Sequence, residues 1–167
     1  MKTAAYWIEK LGLESHIEGG AFKEIYRSAH ILPQSALTTQ HHGDRNTMTS
    51  IYFLLQEGDF SALHCIASDE VWHFYEGAPL CIYEITTDDI LAKHLLGKDI
   101  EAGQQMVVII KAGSWFGSRV EATGGYTLCG CTVAPGFDFA DFELADREAL
   151  SKEYPQYAGI IGEMTRA

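Results

Sequence analysis

Residues 58–77, GDFSALHCIASDEVWHFYEG, decide how the chain is read. FSALHCI reads as a strand, Ala67, Ser68 and Asp69 as a tight polar connection, and EVWHFYE as a second strand that stops at glycine. Because side chains alternate along a strand, Leu63 and Cys65 share one side of the first run, and His64 and Ile66 share the other. On the second run Glu70, Trp72, Phe74 and Glu76 share a side, while Val71, His73 and Tyr75 take the opposite one. Each strand therefore carries an ionisable group among large apolar neighbours. Such a group, once buried, needs a partner, a ligand or a shifted pKa, which makes His64 and Glu70 the first candidates for chemistry.

The flanking sequence continues the pattern. TSIYFLL leads into this stretch, and APLCIYEITT, ILAKHLLG, QMVVIIK, SWFGSRVEA and GYTLCGCTVA follow, the last two expected as a final pair across Thr123-Gly124-Gly125. Many short strands with turn signals between them predict an all-β sandwich or closed barrel. Residues 3–11, TAAYWIEKL, place Ala4, Trp7, Ile8 and Leu11 at helical spacing before Gly12, which predicts a short N-terminal helix. Asp146 before REALSKEY predicts a C-terminal helix stopped by Pro155.

At 167 residues, 47% hydrophobic and 21% charged, the chain is expected to form one domain over residues 1–167. Its 12 basic and 23 acidic residues give a net charge of −11 and no basic stripe, which argues against a nucleic-acid partner. No apolar run is long enough to span a bilayer, and Glu9 and Lys10 interrupt the N-terminus before a secretory h-region could form. The four cysteines, Cys65, Cys81, Cys129 and Cys131, sit in apolar strands without CxxC spacing, so free thiols and a cytoplasmic location are expected.

The spacing of Gly58, His64, Ile66, Glu70 and Gly77 resembles the first cupin motif, G-x5-H-x-H-x(3,4)-E-x6-G, with Ile66 in place of the second histidine. The second cupin motif survives only as a shape, with Lys111 where its proline belongs and Trp115-Phe116 where its histidine belongs. Superfamily cupins hold a divalent metal with three histidines and the glutamate, and this chain keeps two of those four ligands, His64 and Glu70. A narrower resemblance rests on EGGAFKEIYRS (18–28), TSIYFLL (49–55), DEVWHFYEGAPL (69–80) and GCTVAPGFDFADFELA (130–145), which are similar to cupin family five. That resemblance implies a double-stranded β-helix, the cupin jelly-roll barrel, with an interior pocket and a homodimeric assembly. The segment Gly20-Ala21-Phe22-Lys23-Glu24 also resembles the Gly-x-Phe-x-Glu of cupin-type sugar-nucleotide epimerases. It implies that Phe22, Glu24 and Tyr26 face inward beside a substrate and that Arg27 lies outside or at an interface.

If His64 and Glu70 both point inward from neighbouring strands they can touch, and a carboxylate beside an imidazole makes a general base. Tyr26, Tyr52, Tyr75 or Tyr83 would supply the acid, and Trp72, Phe74, Trp115 and Phe116 offer flat walls for a sugar or base. In the loop before the motif, Arg45 would receive a carboxylate or phosphate or make a surface ion pair, and His41-His42 is read as solvated. The acidic residues Asp138, Asp141, Glu143, Asp146 and Glu148 read as a solvated face rather than a calcium loop. Three functions stay open. One is a metal-independent isomerase or epimerase on a carbohydrate or sugar-nucleotide-like substrate, with no cofactor. Another is a small-ligand binding module without catalysis, and the third a divalent-metal cupin of dioxygenase type, using His64, Glu70 and the substitute His73.

Overall fold

A computed structural model of the chain describes residues 2–121, 123 and 125–166. Helix α1 (Ala4–Leu11) starts where the Thr3 hydroxyl accepts the Tyr6 amide and ends at Gly12 in the left-handed conformation. The strands are β1 (Glu14–Ser15), β2 (Ala21–Arg27), β3 (Ile31–Leu32), β4 (Arg45–Asn46), β5 (Thr49–Gln56), β6 (Phe60–Cys65), β7 (Asp69–Gly77), β8 (Leu80–Ile85), β9 (Leu91–Leu96), β10 (Val107–Ile110), β11 (Trp115–Val120), β12 (Tyr126–Ala134) and β13 (Glu143–Leu144). Helix α2 (Arg147–Glu153) is capped by Asp146 as expected. Pro155 then opens a single 3₁₀ turn, and the chain continues into an unforeseen second C-terminal helix, α3 (Ala158–Glu163).

The strands form an antiparallel sheet of order β1-β2-β5-β12-β7-β10 facing a second of order β13-β6-β11-β8-β9, with β3 and β4 paired apart. This is the expected jelly-roll barrel, in which consecutive strands often change sheet. The connection β6 to β7 crosses from one sheet to the other, and so does β11 to β12. The final two long strands are therefore not a pair, and Gly124 of the turn expected between them lies outside the described residues.

Inward-facing Phe53, Leu55, Trp72, Ile82, Leu96 and Phe116 fill the space between the sheets. Side-chain alternation sends their neighbours outward, where each set finds its own cover. Leu54 and Leu128 pack beneath Trp7, Ile8 and Leu11 of α1, while Leu63, Cys81 and Ile85 pack beneath Leu150, Ile161 and Met164 of the C-terminal helices. All four cysteines are free thiols. Among the described residues no helix is long and apolar enough to cross a membrane.

Candidate functional site

A cavity of about 250 Å³ lies between the two sheets. His64, Glu70, Phe22 and Glu24 line it, as do Arg27, which the resemblance placed outside or at an interface, and His16, Glu18 and Cys131, to which the sequence reading gave no place in a site.

Glu18 reaches the cavity through the turn that opens β2. Its carbonyl accepts the Ala62 amide of β6 at 2.8 Å, and the Gly20 amide is held by Asp59 at 2.9 Å. Gly19 has φ of +116°, and a Cβ there would stand 2.1 Å from the Phe60 carbonyl oxygen, so the turn needs glycine at that position. The effect is to lay the Glu18 side chain against β6. One carboxyl oxygen accepts the Ser61 hydroxyl at 3.0 Å, and the other lies 3.2 Å from His64 Nε2 and 3.6 Å from His16 Nδ1.

His64 stands inward on β6, with its ring 4.1 Å from that of Phe116 and stacked beside Phe142 at 5.4 Å. Its Nδ1 is 2.7 Å from the Ala62 carbonyl, an acceptor only, so Nδ1 carries the proton and donates. Nε2 of the neutral ring is then an acceptor aimed at Glu18. Burial pushes the histidine down to about 4 and the Glu18 carboxyl up to about 7, which places their shared proton on Glu18. Burial also lowers the pKa of His16.

Glu70 stands inward at the start of β7, 7% exposed. Burial, followed by the charge of Glu18, raises its carboxyl to about 8, against a smaller lowering effect of the neighbouring Cys131 thiol. Because β6 and β7 belong to opposite sheets, His64 and Glu70 are not adjacent, as the sequence suggested, but look into the cavity from facing walls, with Glu18 as the histidine's carboxyl partner.

Along β2 the expected alternation breaks. Glu24 pairs with Ile51 but Tyr26 with Ser50, so Ile25 is an extra residue in a β-bulge. The bulge turns Tyr26 outward, 48% exposed, and brings Arg27 to the cavity in its place. Arg27 grips both Glu24 oxygens at 3.0 and 2.7 Å and also donates to Asn46 and to the Phe137 carbonyl. Phe139 lines the cavity too and stacks on His16, yet it is 58% exposed.

Other candidates lie elsewhere. Tyr52 and Tyr75 meet edge-to-face at 6.1 Å on the outer side of the six-stranded sheet, over Gly130, where a Cβ would collide with the Tyr75 hydroxyl. Trp72 and Phe74 point inward but pack in the barrel core without lining the cavity, and Phe116 is buried behind His64. Trp115 points the other way, under the C-terminal helices. His73 keeps the parity opposite to Glu70, because the β7 ladder is regular from Asp69 to Phe74. Arg45 is buried and bound bidentately to Asp141 at 2.6 and 2.5 Å, so it pins the 3₁₀ turn Phe139–Asp141 rather than a ligand. His41 is also buried, bonded to Thr38 and Ser68, so the expected solvated histidine pair is limited to His42. Asp141 likewise leaves the solvated acidic face by pairing with Arg45.

Among the described residues no group of three or more His, Cys, Asp or Glu side chains is arranged to hold a metal ion. Of the residues at the motif's ligand positions, Ile66 and Phe116 put hydrocarbon inward, and the substitute His73 faces out of the barrel. The donor set does not fit the metal that the superfamily motif implies.

The profile of the family described as "Cupin superfamily (DUF985)" matches residues 5–145. The chain is 38% identical to a protein of known structure from Shewanella oneidensis (TM-score 0.89), with 99% of each chain covered. It is 32% identical to a hypothetical protein from Leishmania major (TM-score 0.91), covering 99% of this chain and 100% of that one. A cupin 2 domain-containing protein from Halorhodospira halophila is similar in fold, with TM-score 0.56 at 13% identity over 92% of this chain and 88% of that one. No curated protein matches the sequence.

Proposed function

This chain belongs to the cupin superfamily, in the DUF985 family, and on that premise we propose that its cavity binds a small polar molecule and moves a proton on it, as an isomerase or epimerase would. The observation that carries the reading is the convergence of two buried carboxyl groups, Glu18 and Glu70, and the His64 imidazole on one cavity. Burial holds the carboxyl groups near neutrality, where one can take a proton while the other gives one. They approach from opposite walls, since Glu18 is tied to β6 and Glu70 rides on β7.

In the proposed step Glu18, in the ionised form available near its pKa of about 7, removes a proton from a carbon beside a carbonyl and shares it with His64 Nε2. The C–H electron pair passes into the carbonyl as an enolate forms, and Glu70 returns a proton to the opposite face of that carbon as the enolate collapses back to the carbonyl. One C–H bond breaks, one forms, and no cofactor is consumed. A volume below the roughly 300–1,000 Å³ of pockets that enclose drug-sized ligands suits a single sugar ring, leaving any attached nucleotide at the mouth beside Phe139.

The test is solvent exchange. A panel of aldoses, ketoses and sugar nucleotides in heavy water, followed by proton NMR, should show loss of one C–H signal with the wild type and retention with Glu70→Gln. A ligand retained through purification, seen by native mass spectrometry yet inert to exchange, would instead establish the binding-module reading. Stoichiometric iron, manganese or zinc in freshly purified protein would overturn acid–base chemistry by side chains alone.

We also propose that the protein self-associates through the outer side of the six-stranded sheet. Support comes from an uncovered row in which Ile109, Val71, Thr132, Ser50 and Tyr26 are consecutive cross-strand partners, flanked by exposed Met106 and Val107.

A further inference from the structure

The cavity is short of positive charge. Glu18, Glu24, Glu70 and Asp138 line it, against the single cation Arg27 and two histidines. Arg27 is consumed, for Glu24 takes it through both oxygens, and it also donates to Asn46 and to the Phe137 carbonyl. Glu70, more than nine-tenths buried and facing the cavity, has no ion-pair partner among the described residues, and the Cys131 thiol that shares its stretch of cavity wall is at best a weak donor. Glu18 rests on a neutral imidazole and the Ser61 hydroxyl. Phe22, Phe137 and Phe139 complete the wall with ring faces that attract cations. An anionic ligand would meet unpaired carboxyl groups, and a neutral one would leave them protonated.

We propose that the ligand carries a protonated amine, which the Glu70 carboxyl receives as an ion pair inside the cavity while the rest of the ligand lies against the phenylalanine wall. The inference rests on the reading that this cavity is the ligand site, and it narrows the substrate to an aminated carbohydrate or similar small amine. Binding then ionises Glu70 and expels its proton to solvent, so on an aminated ligand the Glu18–His64 couple, not Glu70, both removes the proton from carbon and returns it. The groups that feel this change are His16, Glu18, Glu24, Arg27, His64, Cys131 and Asp138 on the cavity wall.

Glucosamine and glucose differ at one position, an ammonium against a hydroxyl, and serve as the probes. Glucosamine should bind roughly tenfold more tightly near neutral pH, the margin of a charge-assisted over a neutral hydrogen bond. Carbon-13 NMR of the labelled glutamate carboxyls should show Glu70 ionising, and calorimetry in two buffers of different ionisation enthalpy should show proton release. Glu70→Gln should abolish the preference while its fold, checked by circular dichroism, persists. Glucose binding as well as glucosamine, a Glu70 that stays protonated, or no binding of either sugar overturns the proposal. Exchange on neutral sugars with no amine preference removes this inference and leaves proton transfer standing. Amine binding with no exchange on any sugar does the reverse.

Discussion

Nε2 of His64 lies 3.2 Å from Oε2 of Glu18, while Nδ1 of the same ring is bound to the Ala62 carbonyl, so the pair must share one proton between Nε2 and the carboxyl. With the histidine pushed down to about 4 and the glutamate up to about 7, that proton belongs to Glu18. Nitrogen-15 NMR at neutral pH should therefore show His64 neutral with the proton on Nδ1, and it should stay so until the pH falls to about 4. Glu18→Gln keeps a hydrogen-bond donor beside Nε2 and should leave this tautomer in place while ending exchange activity. An imidazolium signal from His64 in the wild type at mildly acid pH would refute the assignment.

Glu70 links the site to stability. Its carboxyl is raised from 4.5 to about 8, so the folded protein stays protonated in a range where the unfolded chain ionises. The stabilising difference is fully present below 4.5 and is lost as pH rises through about 8, at no more than ~1.4 kcal/mol per pH unit for one proton. Glu70→Gln cannot ionise. Its urea midpoint should fall less steeply than the wild type's across this interval and exceed it at about pH 9. Parallel pH profiles for the two proteins would show that Glu70 titrates normally.

The barrel was legible because alternation and turn signals are local, and each strand around the Gly58–Gly77 stretch declares its own faces. His64 and Glu70 could be found for the same reason, as polar residues on apolar faces. Which sheet each strand joins is a long-range property, so their supposed adjacency was not legible. Tyr26 and Arg27 exchanged places because one extra residue, Ile25, inverts everything after it, and nothing in AFKEIYRS announces the bulge. Glu18 was hidden in a turn; two consecutive glycines after an acidic residue were the available signal, since Gly19 lets the turn lie against Phe60. Arg45 needed its partner Asp141, far along the chain, before its burial made sense.

The Arg45–Asp141 pair gives a prediction independent of the cavity's chemistry. Both side chains are nearly inaccessible, and Asp141 also accepts the His42 amide at 2.8 Å. Arg45→Met should cost about 3–5 kcal/mol by stranding a buried carboxylate, and adding Asp141→Leu should recover much of it. Denaturant midpoints of the two variants decide this, and a single mutant as stable as the double one would show that the pair is effectively solvated.

Self-association follows from the outer sheet. The Ile109-to-Tyr26 row presents apolar and uncharged groups across successive strands, and β10, at the sheet edge, puts Val107 and Ile109 about half exposed on that side while Val108 and Ile110 face the core. A lysine at an outward position therefore leaves the barrel packing untouched but places a charge in any interface formed there. Ile109→Lys should convert a dimer to monomer in sedimentation velocity with the melting temperature measured at low concentration little changed. A wild type that sediments as a monomer at high concentration would refute the interface outright, while a dimer indifferent to Ile109→Lys would move it away from this sheet.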